Sequence, residues 1–310
     1  METKKAHGHA LITGATSGIG YEIAKRFAKD GHDLILIARS KDGLVETASF
    51  LEKEYGVSVY TISKDLFVPG AAKEVYTETS QQGFEVRYLV NDAGQGLWGK
   101  FADTELDREI DLIHLNIIAL MSLTKYYLKD MVGRQQGRIL QLASSLAKAP
   151  TPYMAVYAAS KAFVLSFTEA LISELKGTNV TLTALLPNAT DTDFFHKSGS
   201  EHTVTYRETS LYKPAEVAAA GYEGMMIGEP KVLPGIKNKM QGAMSAMMSD
   251  EAVAEMMSKQ MQPSEKEKGK VRISHEASQR ERQRINKSNG DYENHKDHLH
   301  EDSALHHPSH

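Results

Sequence analysis

Tyr157 and Lys161 stand four residues apart in the run Tyr157-Ala158-Ala159-Ser160-Lys161, inside a stretch that otherwise reads as buried helix. At that spacing both side chains lie on one helical face, one turn apart, so the ammonium can reach the neighbourhood of the phenol oxygen. A free tyrosine has a pKa of about 10, and a neighbouring cation favours the phenolate. Such a pair can carry a proton to or from a reacting oxygen. A half-buried aromatic beside a solvated lysine fits the same five residues, so the rest of the chain has to decide.

A second pattern is Thr13-Gly14-Ala15-Thr16-Ser17-Gly18-Ile19-Gly20, which follows a short apolar run and opens a helical one. Glycines at 14, 18 and 20 let backbone N–H groups approach a phosphate, and the helix N-terminus behind them adds a favourable dipole. Tight strand-to-helix packing would account for Gly20 but not for all three.

The elements that must position these residues can be read from the apolar runs. These are 9–13, 33–38, 57–62, 87–91, 138–143, 181–186 and 231–234, several of them continuous, as suits strands covered on both faces. Between them lie helix-length segments such as Ile19 to Lys29 and Leu44 to Tyr55, the latter ended by Gly56. Alternating strand and helix predicts an α/β fold, a Rossmann-like doubly wound parallel sheet in one domain over residues 1–235. A methionine-rich amphipathic helical segment is expected over 236–262, with Met240, Met244, Met247 and Met248 at helical spacing. It has three readings: a helix over a substrate mouth, an oligomer contact, or a lipid-facing surface. Residues 263–310 form a polar C-terminal extension, expected to be disordered, whose histidines include His295, His298, His300, His306, His307 and His310.

Together, the glycine spacing G-x-x-x-G-x-G and the Tyr157–Lys161 pair resemble the short-chain dehydrogenase/reductase family. Asn91-Asp92-Ala93-Gly94 resembles that family's N-N-A-G, Asn116 lies in the following helix, and Ser144 precedes Tyr157 by thirteen residues. Ser145 is the neighbour that could be mistaken for Ser144. The resemblance spans residues 9 to about 235. It implies a catalytic set of Asn116, Ser144, Tyr157 and Lys161, with Tyr157 as acid/base, Lys161 lowering its pKa, Ser144 polarising the substrate oxygen and Asn116 completing a water relay. It implies cofactor binding by Gly14, Thr16, Ser17, Gly18, Ile19, Gly20, Asp65, Leu66, Asn91, Ala93, Gly94, Tyr157, Lys161, Pro187, Thr190 and Thr192. Ser144 and Tyr157 also face the substrate. After the second strand the chain reads Ile37-Ala38-Arg39-Ser40. A carboxylate there would bind a ribose 2′-hydroxyl; instead Arg39, with Ser40, is placed to meet a 2′-phosphate, so NADP(H) is expected in preference to NAD(H). Two departures stand out. Asp92 replaces asparagine, and Pro187-Asn188 replaces Pro-Gly, where Asn188 is expected to sustain a left-handed turn.

The 310 residues are 41% hydrophobic and 25% charged, with a net charge of -4, which gives no reason to expect nucleic acid as a partner. There are no cysteines, so disulfides and thiolate chemistry are excluded. No signal peptide or membrane-length apolar run is read, and a cytoplasmic protein is expected. Leu146, Pro150, Pro152, Tyr153, Met154, Trp98, Phe194 and Phe195 are the candidate pocket lining, which favours an apolar carbonyl or alcohol substrate. Residues 193–214 are expected to form a mobile lid. The apolar helix from Tyr157 to Lys176 points to a homo-oligomer. A non-catalytic nucleotide-sensing or scaffold protein that uses its C-terminal extension to bind a partner is the rival reading.

Overall fold

The computed structural model describes residues 8–235 and 248–264. The chain divides into two units, Met1–Gln262 and Pro263–His310, and the sheet, its helices and its cavity all belong to the first. Met240, Met244, Met247 and the terminal histidines lie outside the described residues.

Seven parallel strands form one sheet in the order β3-β2-β1-β4-β5-β6-β7. They are β1 His9–Thr13, β2 Asp33–Ala38, β3 Val59–Ser63, β4 Val86–Asn91, β5 Gly137–Leu142, β6 Val180–Leu185 and β7 Lys231–Val232. Every run predicted as a strand is one, with boundaries shifted by two residues or fewer. The central strands are buried on both faces because alternate side chains enter different cores. Ala10 and Ile12 of β1 face one core, and Leu11 faces the other.

The first core is closed by α1 (Gly18–Lys29), α2 (Lys41–Tyr55) and a later helix, Pro214–Ile227. The second is closed by α3 (Ala71–Gln81) and, after α4 (Leu106–Ile113), by α5 (Leu120–Gly133) and α6 (Ala155–Glu174). After β6 come two short helices, α7 (Phe194–Ser198) and α8 (Val204–Glu208), in the segment expected to be a lid. The helix Pro214–Ile227 is α9, and α10 (Asp250–Met261) is the described part of the methionine-rich segment. The α6 helix is long and apolar enough, by length and a mean hydropathy of 1.3, to cross a membrane, contrary to the sequence expectation. Its Tyr157, Lys161, Val164 and Thr168 are nevertheless buried in the fold.

Between α4 and α5 the helix widens into a π turn over His114–Ala119, which contains Asn116. Such turns add a residue to the helix and turn a side chain aside from the regular path.

Asn91, at the end of β4, does not line a cofactor path as expected. It is 2% exposed, and its Nδ2 donates to Thr124 Oγ1 at 3.1 Å and to Gln141 Oε1 at 2.9 Å. The strand alternation that turns the neighbouring Asp92 toward the glycine turn sends this side chain into the sheet-helix interior. Gln141 Nε2 donates to the same Thr124 hydroxyl at 2.8 Å, so Thr124 joins β4 and β5 to α5. Thr124→Val would leave the Gln141 donor buried without that acceptor. The expected loss is about 1 to 3 kcal/mol of stability, read as a lower urea midpoint.

Candidate active site

The loops that leave the carboxyl ends of the strands line one cavity of about 750 Å³. Gly14, Thr16, Ser17, Gly18 and Ile19 come from the loop after β1, Arg39 and Ser40 from that after β2, and Lys64, Asp65 and Leu66 from that after β3. Asp92, Ala93, Gly94 and Gln95 follow β4, Ser144 and Leu146 follow β5, and Pro187, Thr190 and Thr192 follow β6. Tyr157 reaches in from α6.

At the β1 end, Gly14 and Gly18 have φ of 69° and 59°, a region a side chain disfavours. A Cβ on Gly14 would meet the Ala93 backbone nitrogen at 3.1 Å, and one on Gly20 would lie 2.6 Å from the Gly14 carbonyl oxygen. Gly20 is thus a packing glycine behind the turn and does not line the cavity. Thr13 Oγ1 accepts from Asp92 N at 3.0 Å and Ala93 N at 2.9 Å, which pins the β4 loop against the turn. A bare backbone cradle at the start of a twelve-residue helix, beside the cationic arm of Arg39, fits the diphosphate and 2′-phosphate of a nicotinamide dinucleotide.

Arg39 is exposed, with its guanidinium 5.1 Å from the Phe67 ring centre. Ser40 uses its hydroxyl to cap α2, accepting from Gly43 N at 3.1 Å. Asp65 Oδ1 accepts from Phe67 N at 3.1 Å, which orders the loop after β3. Lys64, not singled out from the sequence, lies on the same wall and pairs with Glu74 at 2.8 Å.

At the other end, the Tyr157 phenol lies beside the Ser144 hydroxyl, whose Oγ accepts from Leu146 N at 3.1 Å. Ser145 instead donates to Asn188 Oδ1 at 3.2 Å, which separates the two serines by role. Burial pushes the Tyr157 phenol up to about 12, while the Ser144 hydrogen bond works in the other direction. The expected lowering by Lys161 is not what governs it. Lys161 Nζ lies 5.8 Å from the centre of the tyrosine ring and donates to the Leu142 carbonyl at 2.7 Å. Burial brings Lys161 itself down to about 8, with Asp92 opposing.

Asn116 is fully buried and tied on both sides of its amide. Its Nδ2 donates to Gln95 O at 2.9 Å and to Ser160 Oγ at 3.0 Å, and its Oδ1 accepts from Gln95 N at 3.0 Å. The side chain is a strut between the β4 loop and α6. Its oxygen and Lys161 Nζ lie 3.3 Å and 3.2 Å from the point where a Cβ on Gly94 would stand. Asn116 and Lys161 therefore meet behind Gly94, back from the cavity wall.

Asn188 is not left-handed: among the described residues only Gln135 and Tyr153 have positive φ without being glycine. Its bond from Ser145, with Ser145 N donating to Pro187 O at 2.9 Å, holds the turn instead. Thr190 Oγ1 donates to Asn188 O at 2.7 Å, and Thr192 Oγ1 accepts from Phe194 N at 3.3 Å. A Cβ on Gly18 would touch the Thr192 methyl at 3.1 Å, so this loop closes over the glycine turn.

The apolar half of the cavity contains Leu146, Met154, Phe194 and Phe195 as expected. Trp98 and Tyr153 do not line it; they stack on one another one layer back, with ring centres 5.7 Å apart. Pro150 and Pro152 are also off the wall. The missing part of the wall comes from α10. Val253, Met257 and Met261 form a stripe at four-residue spacing that faces the cavity, with Met256 beside it. Trp98 Nε1 donates to Met261 O at 2.8 Å, and Thr205 Oγ1 to Gln260 O at 3.0 Å, fastening α10 to the β4 loop and α8.

Residues 8–203 match the family described as short chain dehydrogenase. The chain belongs to the short-chain dehydrogenase family. It is 35% identical to the very-long-chain 3-oxoacyl-CoA reductase of Anas platyrhynchos over 184 residues, 57% of this chain and 58% of that protein. It is also 35% identical to the 17-beta-hydroxysteroid dehydrogenase type 3 of Homo sapiens over 187 residues, 59% of each. The chain thus spans less than two thirds of these relatives' length. Among solved structures, a short-chain dehydrogenase from Sphingobium yanoikuyae in complex with NADPH superposes with a TM-score of 0.69 at 31% identity, covering 78% of this chain and 97% of that one. A bulky-bulky ketone specific alcohol dehydrogenase from Comamonas testosteroni gives 0.67 at 29% identity, covering 79% and 96%.

Because a Cβ on Gly20 would lie 2.6 Å from both the Gly14 carbonyl oxygen and Asp92 Oδ2, Gly20→Ala should displace the turn and the Asp92 loop together. The expected outcome is at least a tenfold loss of NADPH affinity by fluorescence titration, with the far-ultraviolet circular dichroism retained.

Proposed function

We propose that this chain is an NADP(H)-dependent oxidoreductase that interconverts a carbonyl and an alcohol on a bulky apolar substrate. The observation that carries the reading is the Ser144–Tyr157 pair lining a cavity whose far end is a phosphate cradle beside Arg39. The dinucleotide, when bound, supplies or accepts the hydride.

The protein's own part is to hold the substrate oxygen and move one proton. Ser144 Oγ donates a hydrogen bond to the carbonyl oxygen and polarises it. The Tyr157 hydroxyl lies beside Ser144 and protonates that oxygen as negative charge develops on it; in the reverse direction the phenolate takes the alcohol proton. A phenol raised by burial is a good keeper of its proton, so the step needs a cation close at hand, and Lys161 is the one that α6 carries one turn away. Asn116 positions the β4 loop and α6, and so the distance between Gly94 and Lys161.

The methionine stripe of α10 and the phenylalanines of α7 favour a large hydrocarbon body next to the carbonyl, since unbranched methionine adapts to varied shapes. This agrees with the kinds of substrate in the relatives' names, an acyl chain and a steroid. Arg39 supports NADP(H) over NAD(H): its guanidinium can meet a 2′-phosphate with two hydrogen bonds. Ile110 of α4, Ile118 after it and Phe163 of α6 remain 37–42% exposed along neighbouring helices, which supports a homo-oligomer pairing through this face.

Parallel titrations with NADPH and NADH test the cofactor reading. Arg39→Ala should weaken NADPH about tenfold or more and leave NADH within a few-fold; equal losses would overturn the preference. Tyr157→Phe should lower turnover of a bulky ketone by about 10² or more while NADPH affinity stays within a few-fold. Retained turnover in that variant would exclude Tyr157 as the acid.

A further inference from the structure

Asp92 stands where the family pattern has a neutral asparagine, and the structure puts its carboxyl group directly beneath the glycine turn. Its Oδ2 lies 2.9 Å from the position of a Cβ on Gly14 and 2.6 Å from that on Gly20, and the Gly20 N–H works to keep the carboxyl group ionised. Gly20 is the third residue of α1, so that N–H is one of the helix donors that need an outside acceptor. The first turn of α1 has no acidic residue of its own. Asp92 therefore supplies a negative charge at the helix end on which a diphosphate would also rest.

Its second oxygen is worse placed. Oδ1 is sealed from solvent and has no hydrogen-bond partner. A carboxylate with one oxygen so placed favours taking a proton. The cation facing it is Lys161 of α6, which acts through space and gives its own hydrogen bond to Leu142 O. Tyr157, also of α6, is neutral over the relevant pH range. From the glycine turn and α1, the backbone of Gly14 and Gly20 stands beside the carboxyl group. Burial sets Asp92 at about 7, with Lys161 and the Gly20 N–H holding it from going higher.

Resting on the dinucleotide reading above, we propose that Asp92 couples cofactor binding to proton uptake: the diphosphate and an ionised Asp92 oppose each other across the glycine turn, so tight binding carries a proton onto the carboxyl group. The proton would serve two ends. It removes the charge repulsion beneath the diphosphate, and it turns the partnerless Oδ1 into a hydroxyl while Oδ2 stays beside Gly20. In effect the protonated side chain reproduces the neutral asparagine of the family pattern, and it does so only when the pH allows.

Linkage fixes the direction of the pH dependence. A group that binds its proton more tightly in the complex weakens the complex as pH rises through its value in the free protein. The loss of affinity is then at most about tenfold per pH unit, since one proton is involved. Affinity should accordingly be flat below about pH 6.5 and fall from about pH 7 to 8.5.

Isothermal titration of the full chain with NADPH and with NADH, at about pH 7.8 in two buffers of different ionisation enthalpy, measures the proton directly. Uptake of a substantial fraction of one proton, alike for both dinucleotides and absent in Asp92→Asn, is the expected result. Asp92→Asn should also bind NADPH several-fold more tightly than the wild type at about pH 8.5 and equally at about pH 6.5. Binding with no proton uptake overturns the proposal while leaving the cofactor assignment intact. Uptake that persists in Asp92→Asn also overturns it and moves the proton to Lys161. Uptake with NADPH but not NADH overturns it in favour of the 2′-phosphate. Absence of binding by either dinucleotide sinks the underlying functional reading itself.

Discussion

Two neighbouring parallel strands whose following loops depart in opposite directions leave a gap above them that no side chain from the sheet can close. In this chain that happens between β1 and β4, because β1 leads outward to β2 and β4 leads the other way to β5. The rest of the site depends on that gap. The glycine turn forms one rim and the Asp92–Gln95 loop the other, and Thr13 holds the two together by accepting two N–H groups from across the gap. Ser144 follows the next strand out, and α6, packed on the same side of the sheet as α5, brings Tyr157 to it. Lys161 is fixed by the carbonyl that ends β5. A small shift at the sheet edge would therefore move cradle and proton-carrying pair together.

Much of this is legible in the sequence because it rests on short-range regularities. Seven apolar runs become seven strands, and the four-residue spacing of Tyr157 and Lys161 becomes a shared helical face. Ser144 can be told from Ser145 by its distance along the chain to Tyr157, and the structure gives the two serines different partners. What escapes is set by directions that sequence does not carry. Asn91 and Asp92 are adjacent letters, yet strand alternation buries one among Thr124 and Gln141 and sends the other beneath the glycine turn. Trp98 and Tyr153 look like pocket lining by position, but they stack on each other and support α10 from behind. The α10 wall does carry a signal of its own, in the strict four-residue step of Val253, Met257 and Met261, which the methionines further upstream in the same segment obscure.

Burial is what gives the site its electrostatic character. Water would otherwise keep Tyr157, Lys161 and Asp92 near their ordinary values, and its removal disfavours the charged form of each. The phenol goes up, the ammonium comes down and the carboxyl goes up. The phenol has moved away from neutrality, which makes it a reluctant acid on its own. The other two have moved toward neutrality and toward each other, and each is the opposing influence on its partner.

This mutual dependence decides how the site would respond to a bound anion. When two opposite charges shield each other in a low dielectric, loss of either one makes the other harder to keep. A diphosphate held on the glycine turn would stand over the Asp92 carboxyl group and favour its protonated form. Lys161 would then lose the carboxylate that favours its ammonium and would depend on the phosphate's field in its place. The positive charge beside Tyr157 would thereby pass from the influence of one anion to that of another, and the bound anion would keep the cation that the proposed proton transfer requires. A neutral asparagine at position 92 would give up the first half of that exchange and leave Lys161 dependent on the bound anion alone.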